Sequence, residues 1–525
     1  MQFDSWTYNR MAGRLYAALI RKDIFDGSIP SVLELHRKLQ NLGYMGYLDY
    51  SDAEYAQVEK MIDHNLDFGY AHYQIHTHLS KYAIADRVKG IHYETPQFVY
   101  MRMAMALSVD QPRNRRMKDV AKFYDHLSHN RINAPTPNHI NLGTPLHGYA
   151  SCCLYAAGDT ARSIAVGNHI ANTMTYMSAG IGSYMGIRSQ NDPVRGGAIR
   201  HQGKLPYLRA VAAEVKSNLQ NGRGGACTSY FSIFDPEIDT LLRLKNPMST
   251  EDKKIRTMDY SWGGNRLFAR KVARNEPIFL FNCYTAPDLY DALYSENEAL
   301  FETLYDKYEQ DESFKKTHVN ARELLITACN EWNETGRIYE HNLFEMNRHT
   351  PFKDTIHSSN LCSEIALPTD PFNHMTELYA TEDISFVEYE DTTGKKHTLK
   401  STGQQIQSSR GAIYLHDLNE GDDLQGVKVA KIIRRSSPEV ATCNLAGIVV
   451  SNIDSDEQYE EVAYYSLLMI DKCIHLAAYE LPQIGYTSKA RMNAGVGILG
   501  LAHLMAKNHK RYTDQFGKQF IHQVA

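Results

Sequence analysis

The sequence predicts two unlike regions in one chain: a mainly helical stretch over about the first 150 residues, then an α/β domain interrupted by a β-rich insertion. Three observations carry this reading. Apolar residues recur at helical spacing up to about residue 130, a proline-rich break follows, and beyond it apolar runs alternate with glycine turns and helical stretches.

In the helical region Trp6, Leu15, Leu19 and Ile20 keep near-helical spacing. Ser51 and Glu54 form a capping box ahead of Val58, Met61 and Ile62, in which hydroxyl and carboxylate each satisfy one unpaired backbone N–H. Val120, Phe123, Tyr124 and Leu127 repeat the helical pattern, and the break Ala134-Pro135-Thr136-Pro137 leads to a boundary near 150. Beyond it the pattern predicts a helix around 164–177, turns at Gly196-Gly197 and Gly224-Gly225, a strand over 446–453 and a helix over 462–470. Residues 386–399 read as strand, Thr-Thr-Gly turn, strand, and Val427-Lys428-Val429 alternates, which marks an insertion at about 371–440.

With 525 residues, 43% hydrophobic, 22% charged and a net charge of -5, the chain has no basic excess, so nucleic acid is not an expected partner. The opening MQFDSWTYNRMAG has no leader pattern, and apolar runs such as 445–450 fall far short of the roughly 20 residues a membrane helix needs. The expectation is a cytoplasmic protein (host cytoplasm if viral) without membrane contact. Eight cysteines with no CxxC pair exclude a disulfide scaffold, so cysteine chemistry has to be assembled by the fold. His72, His76 and His78 lie close together, but among 23 histidines they make a weak case for a metal, and none is expected.

The segment Ser358-Ser359-Asn360-Leu361-Cys362-Ser363-Glu364-Ile365-Ala366-Leu367-Pro368 sets Asn360, Cys362 and Glu364 two residues apart. On extended backbone all three share one face and offer an amide, a thiol and a carboxylate to one small ligand. A bare N-x-C-x-E is more often a strand edge with a satisfied polar face.

The longer run SNLCSEIALPT, however, resembles almost residue for residue the finger loop of ribonucleotide reductase large subunits. That resemblance implies Cys362 as the thiyl radical that abstracts the ribose 3' hydrogen, Glu364 as acceptor of the 3'-hydroxyl proton and Asn360 as holder of the ribose hydroxyls. Tyr149-Ala150-Ser151-Cys152 followed by Gly158-Asp159, and Ala441-Thr442-Cys443-Asn444-Leu445, resemble the contexts of the family's redox pair. Cys152 and Cys443 are thereby implied to close into a disulfide as the 2'-hydroxyl leaves. Cys153 would point the other way in a strand, and it, Cys227, Cys283, Cys329 and Cys473 are read as packing.

The resemblance also implies that Thr136 and Ser151 bind substrate near its diphosphate. Asp159, Arg188 and Arg195 would bind a dNTP or ATP effector at a dimer interface, with Arg223 on the loop that relays effector to substrate. It further implies an incomplete ten-stranded α/β barrel, ribonucleoside diphosphates as substrates, thioredoxin or glutaredoxin as reductant, and a homodimer. No cofactor is expected on this chain, the radical cofactor (diiron or dimanganese tyrosyl) belonging to a small subunit. Two departures are expected: a chain without a nucleotide-binding cone ahead of the helical domain, and a barrel left part-built where relatives continue. A separate C-terminal fragment of the large subunit is therefore expected to complete the barrel. An adenosylcobalamin-dependent reductase shares the finger loop, and a non-catalytic nucleotide-binding remnant or regulator is the alternative from another class.

Overall fold

The computed structural model describes residues 6–220, 222–382, 384–401, 405–513 and 515–524. The first region is helical, with Trp6–Phe25, Val32–Asn41, Asp52–Met61, Pro96–Ser108 and Arg113–Ser128 as its longer helices. The capping box at Ser51 and Glu54 forms reciprocally, and Ser31 with Glu34 makes a second. Helix Trp6–Phe25 corrects the sequence reading: Leu15 and Leu19 lie on its outer face, while Gly13, Ala17 and Ile20 are buried. The physical reason is close approach, since a Cβ on Gly13 would sit 2.0 Å from the Tyr70 carbonyl oxygen.

Helix Pro96–Ser108 is buried along its whole length and forms the centre of this region. Its charged residue, Arg102, is fully buried against Glu94, with Nε 2.7 Å from Oε1, and donates also to the carbonyls of Leu142 and His139.

The second region is built on one large sheet. Strands β1 (Cys152–Ala157), β2 (Gly180–Met185), β3 (Cys227–Ser232), β4 (Asp259–Gly264) and β5 (Ile338–Asn342) are parallel neighbours in that order. Strand β6 (Ala441–Val449) joins β1 antiparallel, and β7 (Ala494–Leu499) joins β6 parallel. Helices Ala161–Tyr176 and Leu205–Lys216 form the first two crossovers. Strands β1 to β4 are buried at every position, as parallel strands covered on both faces must be. The whole is a helical domain followed by an incomplete α/β barrel whose sheet path, among the described residues, has β5 and β7 at its ends.

The predicted strand over 446–453 begins earlier and gives way to a single turn at Val450–Asn452, and the predicted helix over 462–470 spans Asp456–Leu476. The two regions interlock across the expected boundary. Ile132–Asn133 pairs with β6, and Val462, Tyr465, Met469 and Ile470 share one core with Phe98 and Phe123.

The insertion is narrower than the sequence suggests. Its sheet occupies Ser385–Ser401 and Asp423–Ser436 around its own core of Val387, Tyr389, Leu415, Leu418 and Val429, whereas Phe372 and Leu378 belong to the barrel's core. At its root Asp370 and Glu439 exchange both backbone hydrogen bonds, at 3.1 and 2.9 Å, and Arg491 grips the Glu439 carboxylate at 2.9 and 2.6 Å. Phe386 and Ser436 are opposed in the ladder, so replacing residues 386–436 with a short glycine linker closes a small gap. The expected result is a folded remainder whose melting temperature shifts by less than about 5 °C. An insoluble product would mean that the insertion holds the barrel together.

Candidate active site

Alternation along β1 and β6 sorts the cysteines. Cys152 and Cys443 face inward, in a small cluster with Leu154, Leu361, Leu367 and Ala441, while Cys153 packs in the core on the opposite face of the sheet. Cys152 and Cys443 are direct partners in the antiparallel ladder. Opposed residues there have Cα atoms about 4.5–5.5 Å apart, within the roughly 4.4–6.8 Å that a disulfide spans. Both are free thiols here. Burial foremost, then the Glu364 carboxylate, pushes the Cys152 thiol up to about 12, and burial beside Cys152 raises Cys443 as well.

The segment carrying Cys362 is not extended. Ser358–Ser359 and Ala366–Leu367 form a short antiparallel ladder, and 360–365 is the turn between them, with Ser363 at φ 63. Asn360, Cys362 and Glu364 therefore do not line one face, which corrects the geometry read from their spacing. Asn360 is fully buried and its side-chain oxygen accepts from the backbone N–H groups of Glu364 (3.0 Å) and Ile365 (3.2 Å). Its Nδ2 donates to the Cys152 sulfur at 3.4 Å. Cys362 and Glu364 stand exposed on the turn. Asn360 thus builds the turn and couples it to the dithiol wall, a role that side-chain spacing alone could not reveal.

The turn lies against the inner faces of β2 and β3. A Cβ on Gly182 would lie 2.4 Å from the Ser359 carbonyl oxygen, and one on Gly180 would lie 2.5 Å from Leu361. Sequence reasoning passed over both glycines and the two β3 hydroxyls opposite the turn, Thr228 and Tyr230. Their one sequence signal is the two-residue spacing of T-S-Y.

The other residues singled out from sequence divide. Arg223, in the hairpin ahead of β3, lies at the cysteine end; burial foremost, then the Glu364 carboxylate, raises the Cys362 thiol, and the charges of Arg223 and Arg337 offset part of that rise. Ser151 precedes Cys152 directly, donating its N–H to the Cys443 carbonyl at 2.9 Å. Thr136 opens helix Thr136–Asn141, half-buried. Asp159 and Arg188 follow the far ends of β1 and β2, about 20 Å along the strand from Cys152, and bind each other. Arg188 Nε and its backbone N–H reach the Asp159 carboxylate at 2.9 and 3.0 Å, and the guanidinium stacks on Tyr284 at 4.4 Å. Arg195 is exposed in the turn joining Pro193–Val194 to Ile199–Arg200.

Cys283, Cys227 and Cys473 make sulfur contacts to Gly186, Ser183 and Asn138 respectively, and Cys329 is exposed. His78 is buried and bonds Tyr100 at 3.0 Å, while His72 and His76 stack on each other. Among the described residues no group of three or more His, Cys, Asp or Glu could hold a metal, and no helix is long and apolar enough to cross a membrane.

This electrostatic arrangement gives a signed expectation. Glu364→Gln removes a charge that raises the Cys362 thiol, so at pH 7.5 the thiolate fraction and the rate of Cys362 alkylation rise severalfold, whereas Arg223→Gln slows it. Peptide-resolved iodoacetamide labelling reads both, and shifts in the same direction would refute the assignment.

Two cysteines opposed on the wall of an α/β barrel, and a third exposed on a turn packed against that wall, make this an α/β-barrel protein with a cluster of thiols. In family comparison, residues 150–525 match the barrel domain and residues 68–147 the all-alpha domain of ribonucleotide reductase. The ribonucleoside-diphosphate reductase 1 subunit alpha of Escherichia coli is 37% identical over 379 residues, 70% of this chain and 50% of that protein. The subunit alpha of Haemophilus influenzae is 29% identical over 99% of this chain and 62% of its own length, and that of Enterobacteria phage T4 is 30% identical over 89% and 54%. The chain belongs to the ribonucleotide reductase large-subunit family, and it spans about half to three fifths of the relatives it matches.

Proposed function

We propose that this chain carries the thiol chemistry of a ribonucleoside-diphosphate reductase, replacing the 2'-hydroxyl of ribonucleotides with hydrogen for DNA synthesis. The observation that supports this best is the direct opposition of Cys152 and Cys443, with Asn360 bridging from the Cys362 turn to the Cys152 sulfur. A Cys362 thiyl radical takes the ribose 3' hydrogen, and Glu364, exposed two residues on, accepts the 3'-hydroxyl proton. The 2'-hydroxyl then leaves as water and a hydrogen takes its place, while the two thiols lose two electrons and two protons and join as a disulfide. Cys362 finally returns the 3' hydrogen, and Glu364 gives back the 3'-hydroxyl proton. Protonated thiols suit this step, because burial holds both wall cysteines in the hydrogen-donating form at neutral pH.

The unpaired electron is supplied from a diiron or dimanganese tyrosyl group on a small subunit, and thioredoxin or glutaredoxin returns the electrons spent. Thr136 and Ser151 contact the substrate. Asp159, Arg188 and Arg195 receive a dNTP or ATP effector in a homodimer, with Arg223 between effector and substrate. Strand β7 pairs on one side alone among the described residues and ends the sheet path, and none of its residues is buried, Val496 and Leu499 each being 37% exposed. Further large-subunit strands cover that edge, and a separate polypeptide can supply them.

The test is deoxyribonucleotide formation from ribonucleoside diphosphates by this chain assembled with the complementing barrel segment, a small subunit and a dithiol reductant. Product that depends on this chain is the expected result. Its absence from a complete assembly rejects the proposal.

A further inference from the structure

Strand β3 sets two hydroxyls, Thr228 and Tyr230, against consecutive carbonyls of the turn that carries Cys362. Thr228 Oγ1 donates to the Leu361 carbonyl at 2.6 Å, and the Tyr230 hydroxyl donates to the Asn360 carbonyl. All four residues are buried. The two donors are two residues apart on one strand, so they share a face and span two successive peptide units. Neighbouring β2 supplies clearance at Gly180 and Gly182 instead of contact. The Tyr230 ring is held in turn, edge-on to His341 at 5.4 Å, while His341 Nδ1 lies 2.9 Å from Ser261 Oγ. Burial lowers His341 to about 4, so this support is neutral at working pH.

Neither hydroxyl is needed to close the turn. Asn360 N–H to Ile365 carbonyl (3.1 Å), the Asn360 side chain and Ser359 Oγ to Ile365 carbonyl (2.7 Å) already do so. Asn360 Nδ2 already ties the turn to Cys152 on β1, and the two hydroxyls add a second attachment, from the backbone carbonyls ahead of Cys362 to β3.

We infer that Thr228 and Tyr230 are positioning residues, a two-hydroxyl clamp that fixes the height of Cys362 above the Cys152 and Cys443 pair. The clamp acts through the backbone, touching neither sulfur nor substrate. The inference rests on the reductase reading for its consequence in turnover, but the placement of Cys362 can be measured without turnover. A radical carrier must sit within reach of one ribose hydrogen, and displacement by an ångström costs about a hundredfold in rate. A clamp that holds the carrier without contacting substrate therefore governs kcat and leaves KM alone.

The test compares Thr228→Val, Thr228→Ser and Tyr230→Phe in the full chain. The first measurement is peptide-resolved alkylation of Cys362 by iodoacetamide, with thermal melting alongside. Expected are at least threefold faster alkylation in Thr228→Val and Tyr230→Phe at nearly unchanged melting temperature, and the wild-type rate in Thr228→Ser, which keeps the donor. The second is turnover in the complete assembly, where kcat falls at least tenfold in Thr228→Val and Tyr230→Phe with KM within twofold, and Thr228→Ser recovers. Unchanged alkylation overturns the clamp, as does Thr228→Ser behaving like Thr228→Val. If the wild-type assembly makes no deoxyribonucleotide while the alkylation pattern holds, the reductase reading fails and the clamp stands.

Discussion

In the proposed complete assembly, the expected result for Cys362→Ser is loss of deoxyribonucleotide formation by at least about a thousandfold, without unfolding of the chain. The residue stands exposed on a turn whose hydrogen bonds come from Asn360, Ser359 and β3, so exchanging sulfur for oxygen removes no structural contact. What is lost is chemical, because a polarisable sulfur holds an unpaired electron that a hydroxyl oxygen does not accept at comparable energy. Cys153→Ser is the matched control. That thiol is completely buried on the opposite face of β1, so a hydroxyl there lacks a partner and costs about 1–3 kcal/mol, while each folded molecule turns over normally. Product per folded chain is the quantity to measure. Full activity in Cys362→Ser removes the radical role, and loss in Cys153→Ser at normal stability moves the redox assignment by one residue.

Arg102→Met destabilises the chain by about 3–5 kcal/mol, a large share of a typical domain's 5–15 kcal/mol. The guanidinium and Glu94 are both without solvent exposure, so removing one charge strands the other in the core. The Leu142 and His139 carbonyls lose a donor too, at the end of helix Thr136–Asn141 just before the chain enters β1. The double variant Glu94→Gln with Arg102→Met regains part of the loss, because no buried charge is left alone, although the Ile84 N–H keeps only a weaker acceptor at residue 94. Denaturant unfolding of both variants measures this, and a double variant no better than the single would show that the pair is not the stabilising unit.

Much of the architecture could be read from local pattern. A capping box is a contact between residues three apart, and a strand–turn–strand run carries its own register, so Ser51 with Glu54 and the 386–399 hairpin came out as expected. The apolar residues of the first helix misled, because burial there depends on which face a neighbouring carbonyl can approach, and Gly13 gives no hydrophobic signal. Contact across the boundary near 150 gave no signal either, since the pairing of residues 132–133 with β6 spans more than 300 residues and leaves no local trace.

For the site, the sequence by itself determined which residues are candidates, because Cys152, Cys443 and the Asn360 to Glu364 run are singled out by their linear contexts. Tertiary structure alone decided their geometry. Antiparallel pairing of β1 with β6 put two cysteines almost 300 residues apart directly opposite each other, and the turn at 360–365 spent the Asn360 oxygen on backbone while aiming its nitrogen at Cys152. Strand β3 supplied hydroxyls that no motif marks. The reason is that reactive identity is a property of a side chain, whereas reach and protonation depend on neighbours brought in by distant strand pairing, which no short stretch of sequence encodes.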